Sequence, residues 1–329
     1  MMDRRELVVA LGAYVLAAPL AGQPQTAGRT YRIGMLVFGT APSGANPDPA
    51  GFQQGLRELG YVEGHNVVIE RRYADGRPDR LAALAAELVQ LKVDVILAGG
   101  PATREAASKA TSTIPIVTVS GSDPVREGWA QSLAYPGGNV TGLTVTLPGL
   151  QLKSLELLKE VFPAITRVAL LIAPLELDAK EIVQEMEAGA RRLGLQIQVL
   201  EVRGPNDFDA AFSLARQRHA QALYMFATNT VVTHRARLAS LAASDRLLSI
   251  SQFPLMAQAG FLMIYGADLD DLGRRSISHM DKILKGARAG DLPIERPTKF
   301  QLIVNLKTAK ALGITIPKSV LLRADEVIQ

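Results

Sequence analysis

The chain has 329 residues, enough for two α/β lobes and too many for one small core. Hydrophobic residues make up 48% and charged residues 21%, the balance of a globular protein, so wholesale disorder is excluded as the default reading. The formal net charge of +4 is spread along the chain with no basic run interleaved with aromatics, which argues against a nucleic-acid partner, and the lack of cysteine excludes disulfides, thiolate catalysis and Cys-based zinc sites.

The N-terminus reads as an export signal. Arg4 and Arg5 precede an uncharged run over residues 7–18, a suitable length for a signal-peptide core and too short to span a bilayer. Small and polar residues follow as far as residue 28, so residues 1–28 are expected to be a signal peptide. The arginine pair permits twin-arginine export, and Sec export fits as well. The expected destination is the periplasm.

From residue 31 onward, strand and helix patterns alternate. Residues 31–38 form a short apolar run, 50–59 a helix closed by Gly60, and 67–73 a second strand. Pro78 opens a helix whose Leu81, Leu84, Leu88 and Leu91 recur at helical spacing. Strands follow at 93–98 and 116–119. The cycle then restarts: helix 150–162, strand 168–172, a helix carrying Ile182, Met186 and Ala190, strand 195–202, helix 207–218, strand 222–226 and helix 233–243. Short apolar strands between helices predict parallel sheets covered on both faces.

The expectation is an α/β protein of two Rossmann-like lobes with a ligand cleft between them. The turn-rich residues 135–142 are read as the first crossover. Strand 262–265 and helix 269–285 then return the chain to the first lobe, and strand 299–304 with a short helix ends the second, giving three crossovers. Lobe 1 is therefore drawn as 29–141 plus 267–290, and lobe 2 as 142–266 plus 291–329. Thr141, Gly142 and Gly266 are the expected hinge residues.

Catalytic and metal patterns are absent. His65, His219, His234 and His279 fall in no metal-ligand spacing and read as surface or loop residues. No Walker A motif, dinucleotide-binding glycine motif or G-x-S-x-G elbow occurs in a suitable context. The pairs Asp270/Asp271 and Glu185/Glu187 read as solvated helix faces. Binding without enzymatic activity, metal or cofactor is the expectation.

Ligands of open α/β sheets lie beyond the carboxyl ends of the strands, so the residues just after each strand are the candidates. Gly100, Ala102 and Thr103 follow the third strand, where free backbone N–H groups would favour a carboxylate or phosphate; an ordinary strand-to-helix turn is the equal alternative. Ser120 and Asp123 follow the fourth; Asp123 would accept from a ligand ammonium or else N-cap a following helix. Phe38 follows the first strand as an apolar face or as core. In the second half, Thr228, Asn229, Gln252 and Phe253 are placed to close over a solute.

Taken together, several segments resemble one known family. They are residues 61–67 (YVEGHNV), 99–102 (GGPA), 113–117 (TIPIV), 121–125 (GSDPV), 136–142 (PGGNVTG), 297–300 (PTKF), 304–313 (VNLKTAKALG) and 323–328 (RADEVI). They are similar to the ABC-transporter substrate-binding proteins whose characterised relatives include tryptophan and aromatic-amino-acid binders. The resemblance implies a type I periplasmic-binding-protein fold, capture of a small solute such as an amino acid or small carboxylate, and delivery to an ABC permease in the inner membrane. It also implies a monomer with no enzymatic activity. The chain departs from the family at residues 173–177 and 252–254, where relatives often carry an Asn/Pro-rich and a charged loop, so either a less polar solute or weaker second-lobe contacts are expected. An exported sensor module for signalling remains an alternative use of the same cleft, and a two-lobed enzyme a weaker one.

Overall fold

The computed structural model describes residues 29–41, 48–121, 123–145, 149–173, 179–226 and 228–329, with the side chain of Asn229 outside that description. The expected signal peptide, residues 1–28, and most of the departing loop at 173–177 lie outside the described residues.

The first lobe opens with β1 (Tyr31–Val37), α1 (Ala50–Glu58), β2 (Val67–Tyr73), α2 (Leu81–Gln90), β3 (Val95–Gly99), α3 (Pro101–Ala110), β4 (Ile116–Ser120) and β5 (Val140–Thr144). The strands form one parallel sheet in the order β2-β1-β3-β4-β5. The central β3 reads VILAG and is buried on both faces, whereas edge strand β2 (VVIERRY) can carry two arginines. Ile33, Val95 and Val117 line one face and Leu36, Ile96 and Ile116 the other, as the two-residue period of a strand requires.

The second lobe contains α4 (Leu150–Val161), β6 (Arg167–Ile172), α5 (Ala179–Arg192), β7 (Gln196–Glu201), α6 (Phe208–Gln217), β8 (Ala222–Met225), α7 (Asn229–Thr233), α8 (Arg235–Ser244), β9 (Leu248–Ser251), α9 (Leu255–Gln258) and β10 (Met263–Ala267). The chain then gives the first lobe α10 (Leu269–Leu284). It returns for β11 (Phe300–Asn305), α11 (Leu306–Leu312), α12 (Lys318–Leu321) and β12 (Glu326–Ile328). The second sheet runs β12-β11-β10-β9-β8-β6-β7, parallel except where β11 lies antiparallel to β10. Leu170, Tyr224 and Ile250 face one core and Leu171, Leu223 and Met225 the other.

Helix α10 is held against α1 by small residues. A Cβ on Gly51 would lie 2.0 Å from the Asp270 carbonyl oxygen, and one on Gly55 would lie 2.9 Å from Ile277 Cβ. The Gly51 N–H also donates to Asp270 Oδ1 at 3.0 Å. Asp268 caps the helix by accepting from the N–H groups of Asp270 and Asp271.

The lobe boundaries differ from the sequence reading. Residues 140–144 are a fully buried strand, not part of a crossover, because the glycine-rich turn is confined to the residues before it. Residues 291–295 stay with the first lobe. Glu295 N–H donates to Gly142 O and Thr144 N–H to Glu295 O, supplying the outer edge of β5 with partners. His279, read as a surface or loop residue, is 1% exposed on α10, with ring nitrogens 3.3 Å from the Arg275 and 2.9 Å from the Pro293 carbonyl oxygen. Among the described residues no helix is long and apolar enough to cross a membrane.

Candidate functional site

The topology places both sets of strand ends at one seam. The chain leaves the first sheet after Thr144, the carboxyl end of β5, and leaves the second after Ala267, the carboxyl end of β10. The third crossing runs from Glu295 to Phe300. Since β3 and β4 are parallel to β5, and β8 and β9 to β10, the loops after all of them border the same crossings.

Thr141 and Gly142 sit inside β5, just before the chain leaves the sheet. Thr141 Oγ1 donates to Leu292 O at 2.7 Å, and Gly142, at φ 138°, would drive a Cβ to 2.0 Å from Thr118 O. Gly266 is likewise a point of close approach, where a Cβ would meet Gln252 O at 1.8 Å. These residues fix backbone packing beside the seam. The crossing segments themselves are tied by Asp271, whose 4%-exposed carboxylate gathers Arg274, Arg275 and Lys299, and by Asp268 N–H donating to Lys299 O. Burial opposes the Asp271 charge, but these cations prevail and hold its pKa below the ordinary carboxyl value. The expected solvated face of Asp270 and Asp271 is thus half wrong, since Asp271 is buried in a charge network.

In the first lobe the candidates form a self-satisfied rim. Gly100 adopts φ 96° at the start of α3, a conformation glycine accepts freely, and its N–H donates to Val119 O. Thr103 is 1% exposed and donates to Gly99 O at 2.8 Å, so its hydroxyl proton is already used. Ala102 and Phe38 pack partly buried on the core beneath. Ser120 is buried at the end of β4, and its carbonyl accepts from Val145 N–H. Asp123 Oδ1 accepts from the N–H groups of Val125 and Arg126, capping a turn where a helix was expected.

Sequence reasoning missed what anchors the loop after β4. Arg104 and Glu127 form a buried pair at 2.8 Å, Trp129 Nε1 donates to the same Glu127 oxygen, and the Arg104 guanidinium stands 5.2 Å from the Trp129 ring centre. No local motif signals this, because the partners lie on a helix and a loop 23 residues apart.

In the second lobe, Gln252 Nε2 donates to Tyr224 Oη at 2.6 Å, and the Ser154 hydroxyl of α4 donates to Leu150 O at 3.3 Å. Burial raises the Tyr224 pKa, so the phenol stays neutral. Thr228 caps α7 by accepting from Val231 N–H, and Phe253 packs against the core. Glu185, read as part of a solvated pair, accepts from Gly149 N–H at 2.9 Å, at the landing of the first crossing. Across the seam, Arg126 of the first lobe meets Glu181 of α5 at 3.4 Å.

A separate depression of about 510 Å³ lies at the opposite ends of β6 and β7, lined by Arg167, Glu187, Gln196, Gln198 and Arg218. It is open and polar, and sits at strand starts, away from the seam. Among the described residues no group of three metal-ligating side chains occurs.

The family model for ABC transporter substrate binding proteins matches residues 33–328. The chain belongs to this family. Its members are substrate-binding components of ABC importers, and this chain is a type I periplasmic binding fold that holds a small molecule for delivery to a permease. It is 27% identical over 265 residues to a tyrosine-binding protein of Clostridioides difficile, covering 80% of this chain and 76% of that one. A Streptococcus pneumoniae ABC domain solved with L-Trp superposes with TM-score 0.81 at 26% identity, covering 91% of this chain and all of that one. A conserved domain protein from Vibrio cholerae gives TM-score 0.80 at 25% identity, again over 91% and 100%.

Proposed function

We propose that this substrate-binding protein captures an amino acid, most readily an aromatic one, between its lobes in the periplasm, and does so as a monomer without chemical conversion. The observation that carries the reading is the convergence of both sets of strand ends on one triple crossing, with Arg126 and Glu181 in contact across it. Carboxyl ends of parallel strands are where such sheets take ligands, and α3 begins there with N–H groups suited to a carboxylate. The residues proposed to meet or frame the solute are Gly100, Ala102, Thr103, Ser120 and Asp123 in the first lobe, with Phe38 as apolar floor. From the second lobe, Thr228, Asn229, Gln252 and Phe253 close over it. Since Asp123 and Thr103 already spend their polar groups on backbone, they shape the pocket more than they grip the solute. The tryptophan complex and the tyrosine-binding relative favour an aromatic side chain.

A thermal-shift panel of amino acids, small carboxylates, nucleosides and sugars tests this. Binding to the folded state alone adds about 2.7 kcal/mol at a hundredfold excess over Kd. The midpoint is expected to rise with aromatic amino acids and stay fixed with sugars. A rise with sugars or nucleosides alone overturns the reading.

A further inference from the structure

Among the described residues, three buried side-chain polar atoms lack a hydrogen-bond partner: Arg104 Nε, Gln151 Oε1 and Gln198 Oε1. Arg104 is otherwise engaged with Glu127 and Trp129, and Gln198 donates through Nε2 to Arg218 O on the far side of the second lobe. Gln151 is different. It is 6% exposed and stands in the first turn of α4, immediately after the chain crosses from the first lobe.

Its position is fixed by its neighbours. Ser154 lies three residues on, on the same helix face, with its hydroxyl donating to Leu150 O beside the buried Tyr224, which accepts from Gln252 at the end of β9. Gln151 is therefore one turn closer to the seam than a polar cluster already closed by its own bonds. A buried carbonyl left without a donor is destabilising, and proteins rarely retain one without use.

We propose that Gln151 reads the solute from the second lobe, its amide oxygen accepting a hydrogen bond from a neutral N–H or O–H on an aromatic ring, as in a phenol or an indole. This rests on the reading of an aromatic amino acid as solute. An amide oxygen is a neutral acceptor and meets a neutral N–H or O–H at little desolvation cost, and the carboxylate that acts on this cluster, Glu185, already accepts from Gly149 N–H. A site that hydrogen-bonds a ring donor rejects the analogue lacking it, because the acceptor then stays unpaired.

Titration calorimetry on the full chain tests the assignment with two matched pairs: L-tyrosine against L-phenylalanine, and L-tryptophan against 1-methyl-L-tryptophan. The unmodified protein is expected to favour the donor-bearing member of at least one pair by about tenfold or more in Kd. In Gln151→Met that ratio should fall toward one, while the melting midpoint without ligand holds or rises, since an unpaired acceptor has been removed. Gln151→Asn, which keeps the amide but draws it back, should lose the ratio too. A ratio that survives in both variants, or a lowered ligand-free midpoint in Gln151→Met, overturns the role of Gln151 and leaves aromatic binding intact. Failure of the unmodified protein to bind any of the four overturns the aromatic reading and this inference with it.

Discussion

The two lobes treat their cleft-side polar groups in opposite ways. In the first, the candidates are committed to backbone: Thr103 to Gly99, Gly100 to Val119, Asp123 to the turn that follows it. In the second, Thr228 and Gln252 are committed too, but Gln151 keeps an unused acceptor beside them. A rim that bonds to itself is rigid before a solute arrives. On the proposal above, the first lobe sets shape and Gln151 adds choice from the second.

The largest expected effect tests the rigidity of the first lobe. Glu127→Ala would strand the buried Arg104 charge and cost about 3–5 kcal/mol in chemical denaturation. A cost near that of a surface pair would break the comparison. Next comes the second rim. Gly266→Ala places a Cβ against Gln252 O, so about 1–3 kcal/mol of stability should be lost together with solute affinity, measured by melting and by calorimetry. Thr103→Val removes a buried donor from Gly99 O and should cost about 1–2 kcal/mol, with Thr103→Ser recovering most of it.

The seam between the lobes responds to pH. The Asp271 pKa is depressed in the folded state, so the stability it contributes is complete above the ordinary carboxyl value of 3.8 and is lost as pH falls through the lower folded value. Asp271→Asn should flatten that part of the acid limb of a denaturation profile. The smallest effect belongs to the contact across the seam. Arg126 and Glu181 are both about half exposed, so Arg126→Ala should change stability by less than about 1 kcal/mol and vanish at high salt.

Much of the fold was legible because buried parallel strands leave dense apolar runs. VALLI at the core of β6 and VILAG at β3 could be little else. β5 was not, since its VTGLT follows a run of turn residues and takes its burial from Thr118 and Glu295 far away in sequence. β12, three residues long, has too little pattern to read. For the site, the loops after strands could be located by topology. The capping by Asp123 is local and was one of its two readings, whereas the ion pair of Arg104 and the isolation of Gln151 could not be read. Both depend on what tertiary packing brings near, and in a helix pattern Gln151 reads as one more polar residue.

The order of the segments has a consequence for how the protein is made. The first lobe lacks α10 until residue 284 has been added, and the second sheet lacks β11 and β12 until the last residues. One face of the first sheet thus waits for α10, and the second sheet for its β11–β12 edge, until most of the chain has been made. Neither lobe is complete without segments that arrive after the other lobe has begun.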